Sequence, residues 1–233
     1  MKAFLLAAGL GTRLRPITDT LPKPLVEVGG RPMIDIWLDA LADAGVDEVL
    51  VNTHHLAGLI ENHVAARSAT PVVHLRYEPE LLGSAGTLLK NRSFVDGEEM
   101  FLAVNADTLT DADLGALAET HRNGGKPATL TVFRSPRPRE CGIVEVADGV
   151  MVGFAEKPAH PRSDLANAGM YAFSPQLLDE IPQPLPRDIG FDLLPLLLGR
   201  AGIVDVGNAL VMDIGTPAAL DAARSAWHSR VVA

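Results

Sequence analysis

Short apolar runs alternate with helical patterns along the chain. The first run, residues 2–8, stops at a glycine and predicts a buried strand. Apolar spacing over residues 33–44 predicts a helix, and Gly45 provides its stop signal. Further apolar runs at 46–52 and 100–104 predict two more strands. The first half of the chain thus follows a strand–helix–strand order.

The middle of the chain has a different pattern. Residues 143–146 and 151–154 flank Asp148-Gly149, a pair typical of a tight β-hairpin turn. The stretch 9–32 is rich in Gly, Pro and charge and is predicted to be a loop. The other predicted elements are strands at 71–77, 128–134, 168–173 and 210–214, and helices at 56–66, 83–92, 111–123, 175–180, 191–198 and 217–228.

This alternation predicts an α/β fold with a Rossmann-like, doubly wound sheet. The sheet is expected to be mixed but mostly parallel, with helices on both faces and a small lobe that contains the hairpin. In such sheets, ligands bind beyond the carboxyl ends of the strands. The loop after residue 8 and the segment Asn105-Ala106-Asp107 both follow strands, so we expect both at one edge of the sheet.

Composition limits the classes of ligand and partner that the protein is expected to bind. The 233 residues are 47% hydrophobic, enough for one large domain. A net charge of -9 argues against nucleic acid and against anionic membranes, so an anionic ligand needs a local cluster of cations. Cys141 is the single cysteine, which excludes an intramolecular disulfide and fits a cytoplasmic location. The opening apolar run is too short for a secretion signal.

The glycine-rich loop Gly9-Leu10-Gly11-Thr12-Arg13-Leu14 raises the question of phosphate binding. The dinucleotide fingerprint G-x-G-x-x-G/A fails, because Leu14 stands at its third small position, and the P-loop string does not occur. Glycines let backbone N–H groups approach a ligand, and Arg13 and Lys23 can bind phosphate oxygens. The alternative is a surface turn with solvated cations.

Six motifs in order resemble the signature of the sugar-1-phosphate nucleotidylyltransferases. The resemblance covers essentially the whole chain and is closest to the single-domain enzymes, of the mannose-1-phosphate guanylyltransferase or MurNAc-1-phosphate uridylyltransferase type. The motifs are the glycine loop with Pro22-Lys23-Pro24-Leu25, Leu82-Gly83-Ser84-Ala85-Gly86, Asn105-Ala106-Asp107, Glu156-Lys157-Pro158, Asn167-Ala168-Gly169 and Asp213-Ile214-Gly215-Thr216-Pro217.

The resemblance implies a role for each matching residue. Arg13, Lys23 and Asp107 are implied to be catalytic, and Asp107 and Asp213 to share one Mg²⁺, although each acid could instead cap a helix. The implied nucleotide contacts are Ala8, Gly9, Gly11, Thr12, Arg13, Lys23, Glu78, Gly83, Ser84 and Gly86. The implied sugar-phosphate contacts are Gly142, Glu156, Lys157, Asn167 and Gly169.

Two positions depart from the family pattern. Cys141 stands where members often carry an aromatic residue, which puts the sugar contact at Gly142 in doubt, and Ala106 stands where glycine is more common. The form of the segment Leu82–Gly86 looks closest to that of mannose-type guanylyltransferases and favours GTP. Asp188, Phe191 and Asp192 are candidates for a mobile flap near the sugar.

The expected reaction couples an NTP to a sugar or sugar-like 1-phosphate, giving an NDP-sugar and pyrophosphate. Uridylyl or thymidylyl transfer to a glucose-type or amino-sugar acceptor is the alternative, and a nucleotide-sensing regulatory module is the non-enzyme alternative. The resemblance implies a single catalytic domain over 1–233, with a nucleotide-binding part at about 1–110 and a sugar-binding part at about 111–233. We expect a monomer or homodimer without a C-terminal β-helix domain.

Overall fold

The structure of the protein, a computed structural model, describes residues 1–231. Its strands are β1 Lys2–Leu6, β2 Glu27–Val28, β3 Arg31–Pro32, β4 Glu48–Thr53, β5 Val72–Tyr77, β6 Phe101–Asn105, β7 Thr108–Thr110, β8 Ala128–Arg134, β9 Gly142–Ala147, β10 Val150–Glu156, β11 Leu165–Phe173, β12 Ala201–Asp205 and β13 Val211–Asp213. Its α-helices are α1 Met33–Asp43, α2 Ala57–Ala65, α3 Ser84–Lys90, α4 Leu114–Gly124 and α5 Pro217–Val231.

The described residues form two compact units, each built from separate stretches of the chain. The loop unit comprises Ala3–Leu81, Asn105–Ala112 and the described residues from Ala209 onward. The hairpin unit comprises Met1–Lys2, Leu82–Val104 and Asp113–Asn208. Since the chain crosses between units several times, neither unit is an N-terminal or a C-terminal half.

In the loop unit, β5, β4 and β1 lie side by side, and β4 and β5 are parallel. Helix α1 buries an apolar face that includes Ile34, Leu38 and Leu41, all fully buried. Gly45 follows the helix with a φ of 80°, a left-handed conformation that glycine adopts easily. The predicted strand–helix–strand order is therefore confirmed in this unit.

The stretch 9–32, predicted to be a loop, has more structure than expected. It contains three 3-10 helices, Thr12–Leu14, Ile17–Asp19 and Lys23–Leu25, and the short antiparallel pair of β2 and β3. The prediction missed them because 3-10 turns of three residues carry no hydrophobic periodicity. They fix the backbone on either side of the charged residues of this stretch.

In the hairpin unit, the strand order is β6, β11, β8, β12, β10 and β9. The turn between β9 and β10 has φ values of 50° at Asp148 and 73° at Gly149. A type I′ turn requires positive φ at both central residues, so the predicted hairpin is confirmed with its turn chemistry. Helix α4 packs against β8, β11 and β12.

Parallel and antiparallel pairs occur together, which confirms the predicted α/β class with a mixed sheet. Strand β12 is parallel to β8, whereas β11 is antiparallel to both β6 and β8. The hairpin unit is thus more antiparallel than the alternation of strands and helices predicts. The cause is β11, which follows the hairpin rather than a crossover helix. The apolar pattern does not predict strand β12, because glycines interrupt the sequence around it.

The helix predicted at 191–198 has a different form. A π-helical turn, Ile189–Leu193, is followed by a 3-10 helix, Leu194–Leu197. Pro195 lacks the N–H group that an α-helix would need at this position. None of the helices within residues 1–231 combines the length and the apolar character that crossing a lipid bilayer demands.

Candidate active site

The loop after β1 is shaped around Gly11. Gly11 has a φ of 64°, and its carbonyl accepts a hydrogen bond from Thr18 Oγ1 at 2.7 Å. A Cβ atom at this position would lie 2.8 Å from Thr18 Cγ2, so the loop requires glycine here. Gly9 and Thr12 are exposed, and the Arg13 side chain is 67% exposed. The loop therefore offers backbone and a guanidinium group to a ligand.

Lys23 is the most buried cation of this loop, with a side chain only 9% exposed. Its Nζ lies 2.8 Å from Asp107 Oδ2 and 3.7 Å from Asp213 Oδ2. Arg13 Nη2 lies 4.0 Å from Asp213 Oδ1. A buried ammonium is costly unless it is paired, and these carboxylates supply the pairing. We call these four residues the Lys23 cluster.

The two carboxylates are brought together by the ladder between β7 and β13. Asp213 is in register with Thr108, the residue after Asp107. The amide of Ile214 donates to the carbonyl of Asp107 at 3.1 Å. The amide of Gly215 donates to Asp213 Oδ1 at 2.9 Å, which orients that carboxylate. Backbone hydrogen bonds therefore fix both acids, although they lie far apart in the sequence.

The alternative role of these acids, as helix caps, is filled by other residues. The side chain of Asp113 caps α4. In the first turn of α5, Thr216 Oγ1 accepts a hydrogen bond from the amide of Ala219 at 3.2 Å. Asp107 and Asp213 are about half exposed.

This donor set fits Mg²⁺. The ion typically takes one or two protein carboxylates and completes its shell with phosphate oxygens and water. Across residues 1–231, no group of three or more His, Cys, Asp or Glu side chains is arranged to hold a metal ion. Asp107 and Asp213 fit a cation whose remaining ligands are phosphate oxygens and water.

Glu78 is buried and held by an amide that the sequence analysis missed. The Glu78 side chain accepts a hydrogen bond from Asn52 Nδ2 at 3.0 Å, and Asn52 Oδ1 accepts one from the amide of Ala7 at 2.6 Å. Glu78 is 4% exposed, and Ala8, which follows Ala7 in the chain, is 6% exposed. The signal that could have revealed Asn52 is a lone amide within the apolar strand β4.

The glycine segment, Leu82–Gly86, is joined to the backbone of Arg187. The amide of Gly86 donates to the Arg187 carbonyl at 3.0 Å, and the Arg187 amide donates to the Leu82 carbonyl at 2.9 Å. Gly83 has a φ of 75°, and a Cβ atom there would collide with the Arg187 carbonyl. The glycines therefore allow two backbones to approach closely, and contact with a nucleobase stays a prediction.

The hydroxyl of Ser84 is engaged within the protein. Its Oγ donates to Asp188 Oδ2 at 2.8 Å and accepts from the amide of Ile189 at 2.8 Å. The resemblance assigns Ser84 to the nucleotide, and that assignment stays a prediction. The observed partner of its hydroxyl hydrogen is Asp188, so a nucleotide group would compete with this carboxylate.

Glu156 and Gly142 face each other across the hairpin of β9 and β10. A Cβ atom at Gly142 would lie 2.6 Å from Glu156 Oε2, so the carboxylate occupies the space that a larger residue would need. The amide of Lys157 donates to the Cys141 carbonyl at 3.0 Å, and Lys157 Nζ lies 3.8 Å from Glu156 Oε1. The Lys157 side chain is 61% exposed and Glu156 is 17% exposed.

The surroundings of Glu156 favour its neutral form. Burial raises the pKa of this carboxyl above its usual value of 4.5, which is the largest effect. The nearby Lys157 ammonium acts in the opposite direction, and the negative charge of Asp188 adds to the rise. A carboxylate kept at this cost is typical of a functional site.

Asn167 and Gly169 form a bulge in β11. Asn167 Oδ1 accepts a hydrogen bond from the amide of Gly169 at 3.1 Å, and its Nδ2 donates to Tyr171 Oη at 2.6 Å. Gly169 has a φ of 75°, and the register with β8 shifts between Asn167 and Tyr171. Sequence analysis did not identify Tyr171. The bulge turns this part of the strand away from regular pairing.

The residues assigned from the resemblance fall into two groups, one in each unit. The loop unit contains Ala8, Gly9, Gly11, Thr12, Arg13, Lys23, Glu78, Asp107 and Asp213. The hairpin unit contains Gly83, Ser84, Gly86, Gly142, Glu156, Lys157, Asn167 and Gly169.

Comparison with known proteins identifies relatives over most of the chain. The family model described as nucleotidyl transferase matches residues 2–229. The mannose-1-phosphate guanylyltransferase catalytic subunit beta of Danio rerio is 34% identical over 223 residues, 93% of this chain and 62% of that protein. The UTP–glucose-1-phosphate uridylyltransferase of Synechocystis sp. is 36% identical over 214 residues, 85% of this chain and 55% of that protein. The chain thus spans less than two thirds of these curated relatives.

Solved structures share the fold. A candidate glucose-1-phosphate thymidylyltransferase from Bacillus anthracis, solved in complex with sucrose, matches with a TM-score of 0.85. The match covers 97% of this chain and 94% of that one at 22% identity. This likeness supports the α/β fold predicted from the sequence.

We expect Glu156→Gln to stabilise the protein as the pH rises. Because the folded-state pKa of Glu156 is raised, the native protein loses stability relative to the variant as pH increases from 4.5 through that raised pKa. Thermal unfolding of both proteins, from pH 4.5 to about pH 8, measures the difference.

The control is Glu145→Gln, which changes a carboxylate on the same hairpin that is 42% exposed. The Tm of this control is expected to follow that of the native protein. Equal Tm values for Glu156→Gln and native protein at every pH would contradict a destabilising charge at Glu156.

Proposed function

Because the chain belongs to the nucleotidyl transferase family, we propose that it transfers a nucleotidyl group from an NTP to a sugar or sugar-like 1-phosphate. The products are an NDP-sugar and pyrophosphate. The observation that carries the proposal is the Lys23 cluster, in which one ammonium lies 2.8 Å from Asp107 and 3.7 Å from Asp213. Cations and paired carboxylates at this spacing suit phosphates and a divalent cation.

The reaction forms one P–O bond and breaks another. A phosphate oxygen of the acceptor attacks the α-phosphorus of the NTP, and the bond from that phosphorus to the oxygen of the pyrophosphate breaks. The attacking oxygen is already anionic, so no protein base has to remove a proton. Catalysis then depends on positioning and on stabilisation of charge.

The loop unit supplies the groups proposed for the triphosphate. The exposed Arg13 guanidinium, with the backbone N–H groups of Gly11 and Thr12, would hold the leaving pyrophosphate. Lys23 would stabilise negative charge at the α-phosphate, and its burial strengthens that interaction. Asp107 and Asp213 would hold Mg²⁺, which when bound supplies positive charge to the phosphate oxygens.

The hairpin unit supplies the groups proposed for the acceptor. The Glu156 carboxylate, 17% exposed, would accept hydrogen bonds from sugar hydroxyls. The Lys157 ammonium, 61% exposed, would orient the attacking phosphate. Gly142 and Gly169 would present backbone groups, and the bulge at Asn167 supports the latter role.

GTP is the nucleotidyl donor that we propose first. The Danio rerio relative named as a mannose-1-phosphate guanylyltransferase supports this choice. Uridylyl or thymidylyl transfer to a glucose-type or amino-sugar 1-phosphate is the alternative, which the Synechocystis relative supports. We further propose one catalytic domain, as the match over residues 2–229 supports. We also propose that the protein is a monomer or homodimer in the cytoplasm, where NTP and Mg²⁺ are available.

Replacing Lys23 tests the central role. Lys23→Ala is expected to lower kcat by roughly a hundredfold or more, because the variant loses the buried charge next to the α-phosphate. Asp107→Asn is expected to lower kcat to a similar extent. The measurement is pyrophosphate release with saturating NTP, sugar 1-phosphate and Mg²⁺, after circular dichroism has verified that the variants fold.

Arg15→Ala is the matched control for the loss of a loop cation. Arg15 is 62% exposed and pairs with Asp19 at 3.1 Å. Its kcat is expected within about twofold of the native value, as for most surface substitutions. Near-native turnover in folded Lys23→Ala would remove Lys23 from the mechanism.

Lys157→Ala separates the acceptor from the nucleotide. The variant is expected to raise the KM for the sugar phosphate by roughly tenfold, since one charge-assisted hydrogen bond to phosphate is lost. The KM for NTP should change by less. Steady-state kinetics with each substrate varied in turn gives both constants. A larger effect on NTP than on the acceptor would contradict the assignment of Lys157.

A further inference from the structure

Asp188 joins two parts of the hairpin unit, the glycine segment that the resemblance assigns to the nucleotide and the Glu156 region proposed for the acceptor. Its Oδ2 accepts a hydrogen bond from Ser84 Oγ at 2.8 Å. Its Oδ1 accepts hydrogen bonds from the amides of Gly190, at 2.8 Å, and Phe191, at 3.4 Å. A side chain assigned to a mobile flap by the sequence analysis is thus held by three donors.

Gly190 lies between Asp188 and Glu156. A Cβ atom on Gly190 would be 3.0 Å from Glu156 Oε2 and 3.3 Å from Asp188 Oδ1. The two carboxylates therefore face the same glycine, with little room for any larger residue. Gly190, whose amide Asp188 holds, thus lies directly beside the Glu156 carboxylate.

Asp188 places a second carboxylate near Glu156, and its negative charge raises the pKa of Glu156. Three hydrogen-bond donors fix the position of the Asp188 carboxylate. Ser84 is one of those donors, and it belongs to the glycine segment. A ligand that competes for the Ser84 hydroxyl would change the hydrogen bonding of Asp188 and its position.

We propose that Asp188 is a positioning residue that couples the glycine segment, through Ser84, to the acceptor carboxylate Glu156. This inference rests on the proposed function, since it takes the glycine segment as the nucleotide side and Glu156 as the acceptor side. Occupation of the nucleotide side then sets how strongly Glu156 binds sugar hydroxyls. The link lies within residues of one unit and needs no movement of the other.

The electrostatic half of the link can be tested without any substrate. The charged groups that act on Glu156 are Lys157, at 3.8 Å, and Asp188, so Lys157 is kept in every variant. The stability gained by Glu156→Gln is measured by thermal unfolding as a function of pH, in the native and in the Asp188→Asn background. Because Asp188 raises the pKa of Glu156, the gain should be smaller and should level off at lower pH in the Asp188→Asn background.

Asp192→Asn is the matched control on the same turn. Asp192 accepts a hydrogen bond from the amide of Asp188 at 2.7 Å and pairs with Arg187 at 3.0 Å, so its loss loosens the turn without removing the Asp188 charge. The pH dependence of the gain should stay as in the native background. Identical pH curves in the native and Asp188→Asn backgrounds would overturn the proposal.

The positional half is tested by a double-mutant cycle, in which kcat/KM for the acceptor is measured for each variant. Ser84→Ala and Glu156→Gln should each lower this kcat/KM. The loss in the double variant should differ by about fivefold from the product of the two single losses, as for residues in one network. In the Asp188→Ala background the deviation should vanish, whereas Asp192→Asn should retain it. Independent effects in the native background, or a deviation that persists without Asp188, would overturn the proposal.

Failure of the proposed function gives a different result. A native protein that turns over no pair of NTP and sugar phosphate contradicts the proposed function, and the unfolding experiment still decides whether Asp188 acts on Glu156. Turnover by the native protein with independent variant effects contradicts the coupling alone.

Discussion

The pairing of one buried ammonium with two carboxylates is the interaction on which the proposed site depends. Lys23 is 9% exposed, so its charge needs Asp107 and Asp213 to be tolerated. The ladder between β7 and β13 fixes these acids, and the glycine loop carries Arg13 to within 4.0 Å of Asp213. Two cations and two carboxylates therefore balance before any ligand arrives. In the proposed function, phosphates compete for the cations, and the carboxylates become available to a metal ion.

In the hairpin unit, by contrast, the surroundings of the candidate acidic residue oppose its charge. Glu156 is a carboxylate whose ionisation burial opposes, and it sits where Gly142 leaves no side chain. Such a group destabilises the folded state at neutral pH, which is typical of a functional site. Asp188 adds a second negative charge but is satisfied by three donors. In the proposed function, this lost stability accompanies a carboxylate that holds sugar hydroxyls.

Local patterns predicted much of the fold. The order of β1, α1 and β4, the hairpin with its Asp148-Gly149 turn and the boundaries of β8 follow from periodicity and turn chemistry, which act over a few residues. The antiparallel placement of β11 was not predictable, because strand pairing is decided by long-range packing. Among site residues, the acids came from the resemblance. Asn52 and Tyr171 were missed, since their partners are remote along the chain or lie across a bulge.

The most direct measurement is a matrix of pyrophosphate release with Mg²⁺, in which GTP, UTP, dTTP, CTP and ATP are each combined with a panel of sugar 1-phosphates. Mass spectrometry of the products identifies any NDP-sugar formed. The proposed function predicts release only where an NTP and a sugar phosphate are both present, with GTP as the preferred donor. Release from an NTP alone, or binding of NTP with Mg²⁺ and no release in any combination, would contradict a nucleotidyl transfer to sugar phosphate.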